Sequence, residues 1–494
     1  MRIVLSASVA LSLALLAGRL TGLLRELELA ALFGISSQAD AAVLLLAIPD
    51  LLVNLLLSGG LSAALVPHFN TLARPQAVAL FRQASIIVAL FFGAAGALLV
   101  AWPQGLFYLI APGMRWQILG GTAGLLAVAM AIPLTGMAGV AGAYLNASQR
   151  FFVTGCGTLI FNTVVLVALL CARGHADPLL LLACGIAGGA AFRWGAQLLA
   201  LDRSVWRAAP PAPPIDRALV CAFGSAALAA ALMLLAPILV RAMASTIGPG
   251  AIASFNYAQK LMELPVAILI TSISTVALSR LSVLHANKMA AAAATAVSRD
   301  TQYALLLAVA VTLLGVWFSD SVVHVLFSRG KMDAVALGQV SALTRVALLS
   351  VPLIAISSMA VADLNASKKT HLVLKITFFC VLTLPLLAWP GLANSSALGL
   401  MAAVVAFQAV VAIALGRAST LRLLGENGLF ACWPYLIAVA IIAALVVVAD
   451  LVLHPSLHWL RLLFPLCGLA AVVLLPVRHF LRSHSTLQQL PTAV

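Results

Sequence analysis

The stretch GRLTGLLRELELAALFGISSQAD, residues 18–40, decides how the chain is read. Leu, Ala and Gly give it the character of a membrane helix, yet Arg19, Arg25, Glu26, Glu28 and Asp40 place charges of both signs in or beside it. An ionisable group at mid-membrane costs at least about 2.5–3.5 kcal/mol, so it normally faces protein or water and marks a functional path. Whether these residues stand in a membrane depends on the remaining sequence.

The 494 residues are 63% hydrophobic and 9% charged, with a mean hydropathy of +1.13, outside the range of soluble domains. Apolar runs long enough to cross roughly 30 Å of hydrocarbon as helices recur from end to end. Strand-like alternation is lacking, which argues against a barrel. The expected spans cover about 5–33, 38–69, 79–102, 118–145, 151–172, 179–201, 218–245, 251–279, 301–318, 338–363, 372–390, 397–416, 432–452 and 458–477. The N-terminus has signal-peptide features, but its apolar run continues past Gly18, so it is read as an uncleaved first helix. The seven cysteines stand singly with no metal-ligand spacing, and support neither disulfides nor a metal site.

Fourteen spans put both termini on one side, and basic residues identify that side. The termini and even-numbered loops carry sixteen Lys or Arg, from Arg2 to Arg482, whereas the odd-numbered loops carry five: Arg115, Arg173, Arg329, Lys331 and Arg461. Both termini are therefore expected in the cytoplasm. The net charge of +14 is mostly this orientation signal, so a nucleic-acid partner is not implied and membrane lipids are.

RAAPPAPPIDR, residues 207–217, is the one clear linker. The expected organisation is an N-lobe over 1–206, the linker at 207–217, a C-lobe over 218–417, and two further helices with a tail over 418–494. YLNASQR at 144–150 is echoed by DLNASKK at 363–369, and Asp40 with Pro49 is echoed by Asn256 with Pro265. Similar offsets with six spans between them predict a parallel duplication, hence two pseudo-symmetric six-helix lobes around a central cavity.

Membrane-depth charges concentrate in spans one, two and eight. The first two hold Arg19, Arg25, Glu26, Glu28, Asp40 and Asp50; span eight holds Lys260 and Glu263. Asn256, Lys260 and Glu263 follow helical spacing on one face, with Pro265 just beyond to loosen the helix. Arg19 and Arg25 point about 120° apart on a regular helix, so a bend at Gly22 is expected to bring them together. Converging cations suit an anionic substrate, above all a phosphate. Plainer readings stand beside these: Glu26 and Glu28 pairing with Arg25 or sitting at a helix end, Asp40 capping helix two, and Arg193, Arg241, Arg345 and Lys375 snorkelling or pairing at helix ends. No catalytic residues are expected, because no phosphate loop, nucleophile elbow or metal motif is present.

The residues RLTGLLRELELAALFGISSQAD and then IPDLLVNLLLSGGLSAALVPHF resemble the opening of the MurJ/MviN lipid II flippases, a branch of the MOP exporter superfamily. GAYLNASQRF at 142–151, FNYAQKLMELP at 255–265 and VLFSRGKMD at 325–333 continue the resemblance in order, thinning after about residue 420. It implies two lobes, a cationic cavity, alternating access and export of an undecaprenyl-pyrophosphate-linked glycan across the bacterial inner membrane, in company with cell-wall or polysaccharide synthesis enzymes. By position it assigns Arg19 and Arg25 to the pyrophosphate, Asp40 to the cavity or its gate, and Lys260 with Glu263 to the family's Arg and Glu. It gives the last two spans to the polyprenyl tail. Val53 and Asn54 stand where the family has paired arginines, Asp50 where it has Asn, and Ser58 where it has Glu. The expected substrate-binding set is thus Arg19, Arg25, Lys260, Asp40, Glu263, Asp50 and Asn54, with Gly22, Pro49 and Pro265 as hinges. Lipid II is the expected cargo. A different lipid-linked exopolysaccharide unit, a cation-coupled small-molecule antiporter and a non-transporting homologue remain as alternatives. No cofactor is expected, and coupling to the membrane potential or to a monovalent ion is left open.

Overall fold

The computed structural model describes residues 2–55, 61–118, 121–202, 205, 217–421, 432–453 and 461–472. Side chains of residues 2–12, 49–50, 52–64, 116 and many of 217–233 lie outside that description. Every regular element among the described residues is a helix, with no strand among them. The expected linker up to residue 216, Ser58 and the side chains of Pro49, Asp50, Val53 and Asn54 fall outside it.

Contacts divide the chain into two compact units: Met1–Ala253 with Arg329–Met332, and Ser254–Ser328 with Asp333–Val494. The first contains α1 (Arg2–Phe33), α2 (Ser37–Leu55), α3 (Leu61–Thr71), α4 (Arg74–Ala101), α5 (Pro103–Ile110), α6 (Gly121–Ala147), α7 (Phe151–Cys171), α8 (Pro178–Leu199) and α9 (Arg217–Ser245). α10 (Ala251–Pro265) begins in the first unit and continues into the second. There it leads through a π turn (Val266–Ile270) to α11 (Thr271–Ala286). The second unit continues with α12 (Ala290–Phe327), α13 (Ala334–Leu348), α14 (Val351–Ala366), α15 (Thr370–Ala393), α16 (Ala397–Ala418) and α17 (Trp433–Leu453). An apolar piece, Leu463–Val472, follows.

Among the described residues, nine helices are long and apolar enough to cross a membrane, or ten if the bent pair α13 and α14 forms one span. The structure redraws several expected spans. The expected span over 338–363 is α13 and α14, bent by 42° at their junction. The one expected over 301–318 is the 38-residue α12.

Helices in lipid gain little from apolar attraction to one another, so small residues that admit close approach decide the packing. In the first unit α7 lies against α1 and α8 in this way. A Cβ at Gly18 would stand 3.3 Å from Leu159 N, and one at Gly189 would stand 3.0 Å from the Phe161 ring. In the second unit α15 and α16 meet at Gly391, where a Cβ would fall 2.6 Å from the backbone of Gly399 and Leu400. Gly391→Ala is expected to cost about 1–3 kcal/mol through forced separation of the two helices. A thermal melt of the purified chain checks it, and an unchanged midpoint would contradict the packing.

The echo at 144–150 and 363–369 is also an echo of backbone. Gln149 and Lys368 take φ of 60° and 61°. Arg150 N donates to Leu145 O and Lys369 N to Leu364 O, both at 2.8 Å. Gln149 N and Lys368 N donate to the carbonyls three residues back. This pair of bonds is the Schellman ending of a helix. A third copy closes α11, where Lys288 has φ of 56° and Met289 N donates to Leu284 O at 3.0 Å.

Candidate functional site

Arg19 and Arg25 lie on one unbroken helix, α1, and have different surroundings. Arg19 is exposed, whereas Arg25 is buried with its side chain 5% accessible. Arg25 Nη2 donates to Glu26 Oε1 at 2.7 Å and Nη1 to Asn162 Oδ1 of α7 at 2.9 Å. Asn162 in turn donates to Gly18 O at 2.9 Å. Gly22, expected as a bend, lies within the continuous helix at a close approach to α7: a Cβ there would stand 3.1 Å from Asn162 Nδ2. At the end of the same helix, Arg173 clasps both oxygens of Glu28 at 2.5 Å, which pushes the exposed guanidinium further toward its charged form. Glu26 pairs with Arg25 and Glu28 with Arg173, so the glutamates that spoil the first span serve as counter-charges.

Asp40 sits in the first turn of α2 but does not cap that helix, where Ser36 Oγ accepts from Ala39 N at 3.2 Å. Its carboxylate reaches 210 residues along the chain, accepting from Gly250 N at 2.6 Å and Ala253 N at 2.7 Å. Asp40 thus caps the N-terminus of α10, satisfying donors that a helix start leaves open and meeting its positive dipole end. Asp40→Ala is expected to cost about 0.5–2 kcal/mol as a lost cap, and Asp40→Asn less. Melts of both variants check the order, and an Asn variant as unstable as Ala would contradict it.

On α10, Lys260 Nζ meets Glu263 Oε2 at 2.9 Å, with side chains 34% and 54% accessible. Asn256, one turn earlier, is buried. Accessible ion pairs are worth about 0–1 kcal/mol, so the Lys260–Glu263 pair adds little stability, in contrast to the buried Arg25–Glu26 pair. Pro265 ends α10, and the π turn begins at the next residue.

The structure gives further charges their partners and surroundings. Arg193, expected to snorkel or to pair at a helix end, is buried in α8, with its Nε 3.0 Å from where a Gly157 Cβ would stand. The missing side chain at Gly157 makes room for it. Asp202 accepts from Arg74 and from Arg150, both at 2.6 Å, tying the start of α4 and the turn before α7 to the end of α8. In the second unit Arg280 pairs with Asp300, and Arg345 pairs with Asp320. Asp450 of α17 takes a two-pronged bond from Arg461 at 2.8 and 2.5 Å and a third from Trp317 Nε1 of α12 at 3.1 Å. Asp363 is buried and receives three partners: His285 Nε2 at 2.9 Å, Thr420 N at 2.8 Å and Thr420 Oγ1 at 2.9 Å. Its place in the DLNASKK echo was the one sequence signal pointing to it. Among the described residues, no three His, Cys, Asp or Glu come together as a metal site.

Helices of this length and composition, with charges clasped between them, define a multi-span membrane protein, and solved transporters of the MOP superfamily share its fold. A solved inward-facing multidrug resistance MATE family transporter of that superfamily matches with a TM-score of 0.71 over 83% of this chain and 97% of that one, at 14% identity. A solved lipid II flippase MurJ in an inward closed conformation matches with a TM-score of 0.81 over 96% of this chain and 100% of that one, at 15% identity. The sequence narrows the class: the model of the lipid II flippase MurJ family matches residues 29–474, and the chain belongs to that family, one of flippases and not of enzymes. The lipid II flippase MurJ of Burkholderia cenocepacia is 27% identical over 339 residues. That match covers 65% of this chain and 65% of the relative, just under two thirds of its length.

Proposed function

We infer that the chain translocates a polyprenyl-pyrophosphate-linked glycan, with lipid II as cargo, from the cytoplasmic to the outer leaflet of the bacterial inner membrane by alternating access. The family match over residues 29–474 carries this reading. The local geometry supports a division of labour within it. Arg19, exposed on α1, and Lys260, half-exposed on α10, contact the pyrophosphate. Arg25, buried against Glu26 and Asn162, holds α1 on α7. Asp40 fixes the start of α10, and Glu263 shields Lys260 until the anion displaces it. Asp50 and Asn54 retain the polar roles their positions imply, and both termini stand in the cytoplasm, as the basic residues indicate. Transport draws on the membrane potential or a monovalent ion.

The test is complementation of cells depleted of their lipid II flippase, paired with lipid II accessibility in proteoliposomes of the purified chain. Rescue and transport are expected. A chain that inserts normally but neither rescues nor flips lipid II overturns the cargo assignment. Lys260 in place of the family's Arg, without its bidentate fork, makes a lipid-linked exopolysaccharide unit the cargo to test next.

A further inference from the structure

The eighth expected span consists of two helical halves with unlike fastenings. Pro265 has no N–H to donate, and its ring crowds the carbonyl four residues back. The chain widens at the next residue: Thr271 N closes a π turn on Val266 O, and Thr271 Oγ1 approaches the same oxygen at 3.3 Å. Such turns are rare and gather at functional sites.

The half after the turn, α11, is tied down twice. Arg280 pairs with Asp300 of α12. Near the end of α11, His285 meets the buried carboxylate of Asp363 at the end of α14, whose other oxygen takes both donors of Thr420, just past α16. The half before the turn, α10, carries the accessible Lys260–Glu263 pair. Its first turn, Ala251–Ala253, belongs to the first unit and is capped there by Asp40.

We propose that the π turn at Val266–Ile270 is the hinge through which α10 changes direction during the transport cycle, and that His285, Asp363 and Thr420 are positioning residues that hold α11 as its fixed half. The proposal rests on the flippase reading above and specifies which part of the chain turns Lys260. A carboxylate serving three donors in a buried setting is costly to open, whereas a π turn after a proline has a weaker bond ladder. Motion concentrates at the turn.

Two variants and a cargo-independent measurement test this. Pro265→Ala restores the missing donor and lets the helix run straight; Asp363→Asn keeps the shape of the anchor and removes its charge. Each is expected to bind lipid II as the parent chain does and to flip it about tenfold more slowly, a defect in turnover and not in affinity. The two losses are expected not to multiply in the double variant, because the second change disables a hinge that the first has already disabled. Parental rates in both single variants, or losses that multiply, overturn the proposal. If either variant folds poorly, Thr271→Val, at an exposed position, removes only the hydroxyl contact and is expected to change the rate; an unchanged rate counts against the hinge. Hydrogen exchange supplies the separate readout. Amides 266–271 of the parent are expected to exchange faster than those of α11 beyond Thr271, and Pro265→Ala to protect them about tenfold. Equal protection along α10, the turn and α11 overturns the hinge whatever the cargo. Fast exchange at the turn in a chain that moves no lipid II overturns the cargo reading instead.

Discussion

Replacing Arg25 with alanine is expected to destabilise the protein by about 3–5 kcal/mol, the usual cost of removing one partner of a buried ion pair. The side chains of Arg25 and Glu26 are 5% and 3% accessible, and the guanidinium also bonds Asn162, so its loss strips a buried carboxylate and a neighbouring amide together. Arg25→Ala combined with Glu26→Ala is expected to melt above Arg25→Ala alone, since the double variant removes the charge left behind. Thermal melts of the detergent-solubilised chain decide it. An Arg25→Ala protein that melts like the parent but no longer flips would make Arg25 a cargo contact instead of a support for α1.

Lys260→Ala is expected to show the opposite profile: a protein that inserts and melts normally yet loses flipping about 10- to 100-fold. Its pair with Glu263 is accessible, and such pairs add about 0–1 kcal/mol to stability. A charge-assisted bond to a pyrophosphate is worth about 1.5–3 kcal/mol, and every 1.36 kcal/mol is about tenfold in rate. Lys260→Arg is expected to retain or raise activity, because the planar fork grips phosphate oxygens in pairs. Full transport by Lys260→Ala in proteoliposomes would remove α10 from the binding site.

The contrast between these arginine and lysine positions marks where sequence reasoning reached its limit. Membrane helices announce themselves through apolar runs, and the duplicated NAS motif was visible because both copies retained its letters. The pairing of Glu26 with Arg25 was legible because the two are neighbours. Long-range partners were not: Arg173 lies 145 residues from Glu28, and Asp40 lies 213 from the amide it bonds at Ala253. Nothing in the residues near Asp40 separates capping its own helix from capping another. Arg193 was expected to snorkel because periodicity cannot reveal that Gly157, on a neighbouring helix, leaves space for a guanidinium. The proline at 265 signalled a weak point, but the form of the weakness, a widened turn over Val266–Ile270, has no signature of its own in the residues.

The three helix endings at Gln149, Lys288 and Lys368 offer a practical return. Each holds a residue with a Cβ in the left-handed region, at a cost of roughly 1–2 kcal/mol that glycine does not incur. The greater freedom of glycine in the unfolded chain takes back about 0.5–1 kcal/mol. Gln149→Gly, Lys288→Gly and Lys368→Gly are therefore each expected to raise the melting midpoint slightly. The gain at Gln149 should add to the other two, whereas the turns at Lys288 and Lys368 are joined by the His285–Asp363 contact and their gains couple. A triple variant that melts no higher than the parent would show that these turns carry no strain. One that does melt higher would provide a hardier form of the protein for purification and imaging, with Arg19, Arg25 and Lys260 untouched.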